Sequence, residues 1–463
     1  MPIKPKLFAF SHICGTSYVT GAEKALLFLM SELQPFFDIT LVVPNTGFMS
    51  ERATEKGIPI IQLSIPLTDF IYLAKPDIDD ELQKLKSTES YGWLLQLLAN
   101  DRPEAVLVNT AVHPLPAMAA KEQGIPVVWS ITETIRKTPH TAAAAAVINQ
   151  FSDWIAGISE TAVEPLRNDS VAAHGRVHVL PPSWYPEQLR PDEWEVNRQS
   201  RRQQLGIEAR HTLVGFIVSA IYDSKGYIPF MDMAAELSSR HANAMFLVVG
   251  NPVDKSLYEE GKEIVRRRGY SERVRWVRFE EQIATLYPAL DLLVVPSLIP
   301  EGFGLTALEG LMFGKPVVAF GSGGLKEIME QTGNADNAVP AGDLAGLVER
   351  VHRFLQNEDA RTAAGEHNRR AVERVYGLDA YRQRLQKLLD VLLAAIPERK
   401  DSDAGLNVIN RKPRRGRKRA GRRNKTRPSR KRSGAKRQRK RSGGRRYGAR
   451  RSRRHRKMAK RAR

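Results

Sequence analysis

Two glutamates, Glu301 and Glu309, flank a glycine-bearing turn in the stretch Leu292-Leu-Val-Val-Pro-Ser-Leu-Ile-Pro-Glu301-Gly-Phe-Gly-Leu-Thr-Ala-Leu-Glu309. Leu292–Val295 reads as a buried strand and Leu305–Phe313 as the helix after it. Gly302 and Gly304 have no Cβ, so backbone N–H groups there can close on a ligand. The positive end of the helix dipole suits a phosphate at that point. With Glu309 read as two turns inside the helix, eight helical residues span about 12 Å. That is far beyond the ~5 Å pair of a retaining glycosidase. The spacing suits hydroxyl binding at two ends of one extended ligand.

Other motifs fail on their spacing. Gly310-Leu-Met-Phe-Gly314-Lys315 has the wrong interval for a P-loop and ends in Pro316. Gly302-x-Gly304-x-x-Ala307 fits a loose dinucleotide fingerprint but leaves Glu301 without a role. Asp77-Ile-Asp79-Asp80 lies in a polar stretch and reads as solvated charge rather than as a metal site. Phe320 takes the first glycine position of a nucleophile elbow around Ser322. Cys14 is the single cysteine, which excludes an intramolecular disulfide and Cys-based zinc or iron–sulfur sites. No Cys or His cluster offers zinc ligands, and no metal is expected.

The elements that must hold these residues alternate in type. Apolar runs at Lys6–Ser11, Ile39–Val43, Pro59–Leu63, Ala105–Asn109, Pro126–Ile131, Trp154–Ile158 and His178–Leu180 read as strands. Helical patterns such as Ala22–Leu33, Tyr91–Leu98, Pro114–Lys121 and Ala142–Phe151 fall between them. Prolines 181, 182, 186 and 191 then interrupt the pattern before a polar helix near Glu193–Leu205. Strands restart at Thr212–Val218, Met245–Val249, Val274–Trp276, Leu292–Val295 and Pro316–Ala319, again separated by helices. This predicts an α/β protein of two parallel-sheet halves with a ligand cleft at the strand C-termini. The expected divisions are 1–185, 186–377, a closing helix at 378–399 that packs back toward the first half, and a tail at 400–463.

Charge is distributed very unevenly. Residues 411–463 hold 30 Lys and Arg and no Asp or Glu. That leaves 42 basic against 51 acidic residues in 1–410, a net −9 beneath the overall +21. Such a tail cannot form a core and is expected to be disordered. It would bind a polyanion (nucleic acid, anionic lipid or anionic polymer) through counterion release, over a reach of about 40 Å. Tyr447 is its one aromatic residue, so base stacking is not its mode. No apolar run reaches the roughly 20 residues of a spanning helix, and the start lacks signal-peptide character. The expected location is cytoplasmic, with the tail able to hold the protein at a membrane, envelope or spore-coat surface.

The Glu301-to-Glu309 segment resembles the signature of the retaining GT-B glycosyltransferases of family 4, the glycosyl transferases group 1. Tyr287-Pro-Ala-Leu-Asp-Leu-Leu-Val-Val-Pro-Ser297 and Gly314-Lys-Pro-Val-Val-Ala-Phe-Gly-Ser-Gly-Gly324 extend the likeness. So do Thr20-Gly21-Ala22-Glu23, Val108-Asn-Thr110, Val127-Val-Trp-Ser-Ile-Thr-Glu133 and Ile158-Ser-Glu160. The resemblance implies a GT-B fold of two Rossmann-like domains, a UDP- or GDP-sugar donor and no required metal or other cofactor. Glu309 would then hold the nucleotide ribose and Glu301 the hydroxyls of the transferred hexose. The backbone at Gly302, Phe303, Gly304 and Leu305 would meet sugar and diphosphate. Lys225 would neutralise the diphosphate, and Gly21 would face the same cleft.

Two positions depart from the family pattern. Ser219-Ala220 stands where Gly-Arg is usual, which removes one positive charge. Ser130 replaces the His of Trp-His-Ile-x-Glu, and His113 is the candidate to compensate. The expected activity is retaining hexosyl transfer to an unidentified acceptor, a glycan, lipid or protein. The alternative is a catalytically weak or inactive GT-B-like scaffold that acts through its polycationic tail.

Overall fold

Short β-branched runs become the strands of two wholly parallel sheets, each paired by the crossover helices that follow its strands. The computed structural model of the chain describes residues 4–167, 175–278, 280 and 282–396. The expectation of a disordered, polybasic tail falls outside the described residues. The first sheet holds β1 (Lys6–Phe10), β2 (Asp38–Val43), β3 (Ile60–Gln62), β4 (Ala105–Asn109), β5 (Val127–Ile131), β6 (Trp154–Gly157) and β7 (Val177–Val179). Its order is β3-β2-β1-β4-β5-β6-β7. The second holds β8 (Thr212–Ile221), β9 (Ala244–Pro252), β10 (Val274–Val277), β11 (Leu292–Val295), β12 (Val317–Phe320) and β13 (Ala338–Val339). Its order is β10-β9-β8-β11-β12-β13. Strand order reverses between β1 and β4 and again between β8 and β11. Crevices at such reversals are where open α/β sheets bind ligands.

Both faces of each sheet are covered. Phe8 and Phe10 point to one side of β1 and pack with Leu94, Leu115 and Ile148 from the helices Glu89–Asp101, Pro114–Glu122 and Thr141–Phe151. Leu7 and Ala9 point to the other side, as the two-residue strand period requires. There they meet Leu26 and Met30 of the helix Gly21–Leu33. Tyr381, Leu385, Leu388 and Leu392 of the helix Leu378–Ala395 complete that face. The chain thus returns from the second sheet to close the first, and both sheets belong to one compact unit.

The structure adds elements beyond those read from the sequence. They include β13 and the helices Phe48–Glu55, Ile78–Lys86, Leu344–Gln356 and Glu358–Tyr376. Asp79, Asp80 and Glu81 occupy the first turn of Ile78–Lys86, where carboxylates complement the helix dipole. Among the described residues, no helix is long and apolar enough to cross a membrane.

One buried carboxylate locks the base of the second sheet. Asp291, just before β11, pairs with Arg198 at 2.6 Å and Arg202 at 3.0 Å from the helix Trp194–Leu205. It also accepts the Leu213 N–H of β8 at 2.7 Å. Burial pushes its pKa up, but Arg198, the Leu213 N–H and Arg202 outweigh burial and hold the carboxyl below its usual value. Its contribution is therefore complete above the ordinary aspartate range and is lost as pH falls toward the depressed value. Asp291→Asn should cost roughly 3–5 kcal/mol. It should also flatten the acid limb of a stability-against-pH curve measured by urea unfolding; an unchanged acid limb would show that the clamp does not act.

Candidate functional site

β11 ends in a loop whose shape is set by what its glycines lack. Gly304 has φ +108°, so the helix after it starts only at Leu305 and runs to Met312. Glu309 is thus the fifth helical residue, little more than one turn in, rather than two turns as the sequence suggested. The loop backbone is fixed from both halves. The Glu301 carbonyl accepts the Gly324 N–H at 2.8 Å and the Thr134 hydroxyl at 3.2 Å. The Gly302 carbonyl accepts the Ser159 hydroxyl at 2.6 Å. A Cβ on Gly302 would overlap the Thr132 carbonyl oxygen, and one on Gly324 would overlap Gly302.

Each carboxylate has its own ammonium. Glu301 pairs with Lys225 at 2.8 Å and also accepts the Ser297 hydroxyl. Lys225 closes a 3-10 turn, Asp223–Lys225, followed by Gly226 at φ +75°. A side chain at Gly226 would collide with the Pro296 carbonyl, so this turn lies flat on the end of β11. Glu309 pairs with Lys24 at 2.9 Å and accepts the Tyr287 hydroxyl at 2.7 Å. Burial, with the Glu309 carboxylate beside it, pushes the Tyr287 phenol far above its usual value, so it stays protonated and donates.

Lys24 comes from the other half of the molecule. Its helix starts at Gly21 behind a capping box: Thr20 accepts the Glu23 N–H at 3.3 Å and the Thr20 N–H donates to Glu23 at 2.8 Å. Glu23 also accepts the Gly15 N–H at 2.8 Å, so the Thr-Gly-Ala-Glu run is a structural clasp. A Cβ on Gly21 would come within 2.7 Å of Leu305 Cδ1. The N-termini of two helices, one from each half, therefore face the same space.

That space is a cleft of about 240 Å³. Gly21, Lys225, Glu301, Gly302, Phe303, Gly304 and Leu305 line it, together with Thr132, Ser219 and Ser297. Phe303 offers only backbone, because its ring is buried edge-on against Tyr376 at 5.3 Å. Glu309 stands one turn behind the lining, between Lys24 and Tyr287. His113 is not in this cleft. It is buried at the start of the helix Pro114–Glu122, and burial and His12 push its imidazole down to about 3. Ser219 lines the cleft, and the buried Ala220 after it stands where the resemblance places an arginine. Ser130 faces a smaller hollow with Phe28 and Tyr381, and Thr132 lies at the boundary of the two.

The sequence reading passed over Lys24, Thr132, Ser159, Tyr287 and Ser297. Each lies inside or beside a run already singled out, but its partner is fixed only by the fold. Among the described residues, no three His, Cys, Asp or Glu side chains converge on a metal-sized space. The site is an elongated cleft with oxygen acceptors, ammoniums and unencumbered backbone N–H groups.

Comparison with known proteins agrees with this arrangement. The family described as glycosyl transferases group 1 matches residues 197–371, and the one described as glycosyl transferase 4-like domain matches residues 20–183. A D-inositol 3-phosphate glycosyltransferase of Nocardia farcinica is 29% identical over 344 residues, covering 71% of this chain and 69% of that protein. A 2-deoxystreptamine glucosyltransferase of Streptomyces kanamyceticus is 29% identical over 44% of this chain and 51% of its own. A D-inositol 3-phosphate glycosyltransferase of Corynebacterium jeikeium is 30% identical, and its matched stretch spans 46% of its length. The chain thus spans about half the length of most of these curated relatives. Among solved structures, Anabaena HepE in complex with UDP-glucose superposes with a TM-score of 0.67 at 18% identity, over 84% of this chain and 100% of HepE. WaaG, a glycosyltransferase involved in lipopolysaccharide biosynthesis, gives 0.60 at 17% identity over 83% of this chain and 99% of WaaG. Two doubly wound sheets facing one glycine-lined cleft, matched in both halves by these families, place the chain in the glycosyl transferases group 1 on a GT-B fold.

Proposed function

We propose that the chain transfers a hexose from a nucleotide-diphosphate sugar, with retention of configuration and without a metal. The observation that carries this reading is the pairing of two carboxylates, one lining the cleft and one a turn behind it, with two ammoniums, Glu301 with Lys225 and Glu309 with Lys24. Together they offer hydroxyl acceptors and cations along one extended ligand. The ribose takes Glu309, the hexose hydroxyls take Glu301, and the diphosphate lies between on the backbone of 302–305 with Lys225. Charge that develops on the departing diphosphate is met by Lys225 and by the two helix N-termini, which are already oriented before reaction. Lys24 is released from Glu309 when ribose binds. It then offers a second cation beside a strand that has Ala220 in place of an arginine. The UDP complexes of HepE support a uridine donor. The scaffold reading draws on Ala220 and Ser130, which replace an Arg and a His, whereas the paired carboxylates favour transfer. The tail at 411–463 serves as a salt-sensitive tether to an anionic polymer or surface.

Calorimetric titration of the full chain with UDP and GDP, in salt high enough to silence the tail, should give saturable binding of one of them. Glu309→Ala should weaken that binding at least tenfold; no binding by either nucleotide would end the enzyme reading. Glu301→Ala should abolish hexosyl transfer and leave binding of the bare nucleotide unchanged, and undiminished turnover would remove Glu301 from the site.

A further inference from the structure

The helix Glu160–Val163 is a single turn, and the N–H groups of Glu160, Thr161 and Ala162 at its start have no carbonyl within it to reach. Ser159 serves one of them. Its hydroxyl accepts the Ala162 N–H at 3.0 Å and donates to the Gly302 carbonyl at 2.6 Å. The other two are taken by a carboxylate from the opposite half of the molecule. One Glu327 oxygen accepts the Glu160 N–H at 3.2 Å. The other accepts the Thr161 N–H at 3.1 Å and the Thr161 hydroxyl at 3.3 Å.

Glu327 sits on the helix Gly323–Gln331, and that helix meets the 301–305 loop at both of its ends. At its start, Gly324 donates to the Glu301 carbonyl at 2.8 Å, and Gly323 pairs with Glu301 in an isolated parallel bridge. At its end, Gln331 donates to Glu327 at 3.2 Å and accepts the Tyr376 hydroxyl at 2.9 Å. The Tyr376 ring is the one that lies edge-on to Phe303. Burial, with the Glu327 charge nearby, pushes the Tyr376 phenol above its usual value, so it stays a donor.

These contacts close a ring around residues 301 and 302. It runs from the Glu301 carbonyl through Gly324 to Glu327, across to Glu160 and Thr161, and back through Ser159 to the Gly302 carbonyl. A carboxylate suits the crossing because its two acceptor oxygens can hold successive N–H groups at once, in charge-assisted bonds. Arg167 pairs with Glu160 at 2.6 Å and Lys326 with Glu330 at 3.6 Å, which leaves both Glu327 oxygens to N–H and O–H donors. Glu327 is not among the residues that line the cleft.

We propose that Glu327 is a positioning residue for hexosyl transfer. By holding the first turn of Glu160–Val163 it aims the Ser159 hydroxyl at Gly302, and so fixes the hexose end of the donor loop. It acts through Ser159 and touches no part of the donor. The role in transfer rests on the reading above, whereas the link itself can be measured without any substrate.

The test compares Glu327→Ala, Glu327→Gln, Ser159→Ala and the double variant Glu327→Ala/Ser159→Ala in the full chain, in salt that suppresses the tail. Hydrogen exchange read by mass spectrometry needs no ligand. Glu327→Ala should speed exchange at least threefold in peptides covering 158–163 and, across the interface, 305–312, where Leu308 donates to the Gly304 carbonyl at 3.1 Å. Ser159→Ala should do the same at 305–312, and the double variant should add nothing there, because both act through one hydroxyl. Glu327→Gln keeps the shape and one carbonyl acceptor and should fall between. A change confined to 158–163, additive effects in the double variant, or a uniform rise that includes the first-sheet strand 105–109 would overturn the link. Hydrolysis of UDP-glucose or GDP-mannose, whichever the unaltered chain accepts, reads the consequence. Glu327→Ala should lower kcat at least tenfold with bare-nucleotide affinity within threefold, since Glu309 and Lys24 lie outside the ring; an unchanged kcat would overturn the positioning role. Failure of the unaltered chain to bind either nucleotide would sink the transfer reading instead, and the exchange pattern alone then decides the link.

Discussion

The close approach of one loop backbone to the opposite half of the molecule sets the geometry of the site. Residues 301–304 lie against Thr132 and Thr134 on one side and Gly324 on the other, at separations that leave no room for a side chain at Gly302 or Gly324. Ser159 secures the same loop by its hydroxyl. Because the loop is clamped at its carbonyls, its N–H groups and the Glu301 side chain are left for the cleft. The clamp depends in turn on β11, whose start is anchored by the Asp291–Arg198–Arg202 cluster. Packing at the sheet base is thus transmitted to the chemistry at the sheet top.

Topology explains why residues of both sheets meet at one cleft. Each sheet reverses its strand order once, and each reversal opens a crevice at the C-terminal ends of its strands. The β8/β11 crevice holds the charged cleft, and Thr132, just past β5 of the first sheet, reaches its border.

Much of the fold was legible because buried parallel strands are continuous apolar runs. β4 and β11 fall on the residues read from the sequence alone, and most other strands agree to within a few residues. Helices whose apolar face is thin were not legible. Glu358–Tyr376 is rich in charge along its length and buries only Gly365, Asn368, Ala371, Val372 and Tyr376. The signature loop was legible in residue type and its helix start at Leu305 was read as it stands, but the depth of Glu309 was overstated, since it is only the fifth residue of that helix. Cross-molecular partners were least visible. Lys24 and Glu309 lie 285 positions apart, and nothing local in either segment announces the pair. His113 was the candidate to compensate for the missing histidine and is instead buried at the start of its helix, outside the cleft lining.

The central claim is that the cleft is pre-arranged for a nucleoside diphosphate, with Lys24 on Glu309 at the place proposed for a ribose. A crystal structure of the chain with UDP bound tests it most directly. The account predicts ribose hydroxyls on Glu309, Lys24 displaced from its 2.9 Å contact with Glu309, and the diphosphate between Lys225 and the 302–305 backbone. A nucleotide bound elsewhere, or one bound with the Lys24–Glu309 pair intact and Glu309 untouched, would contradict it.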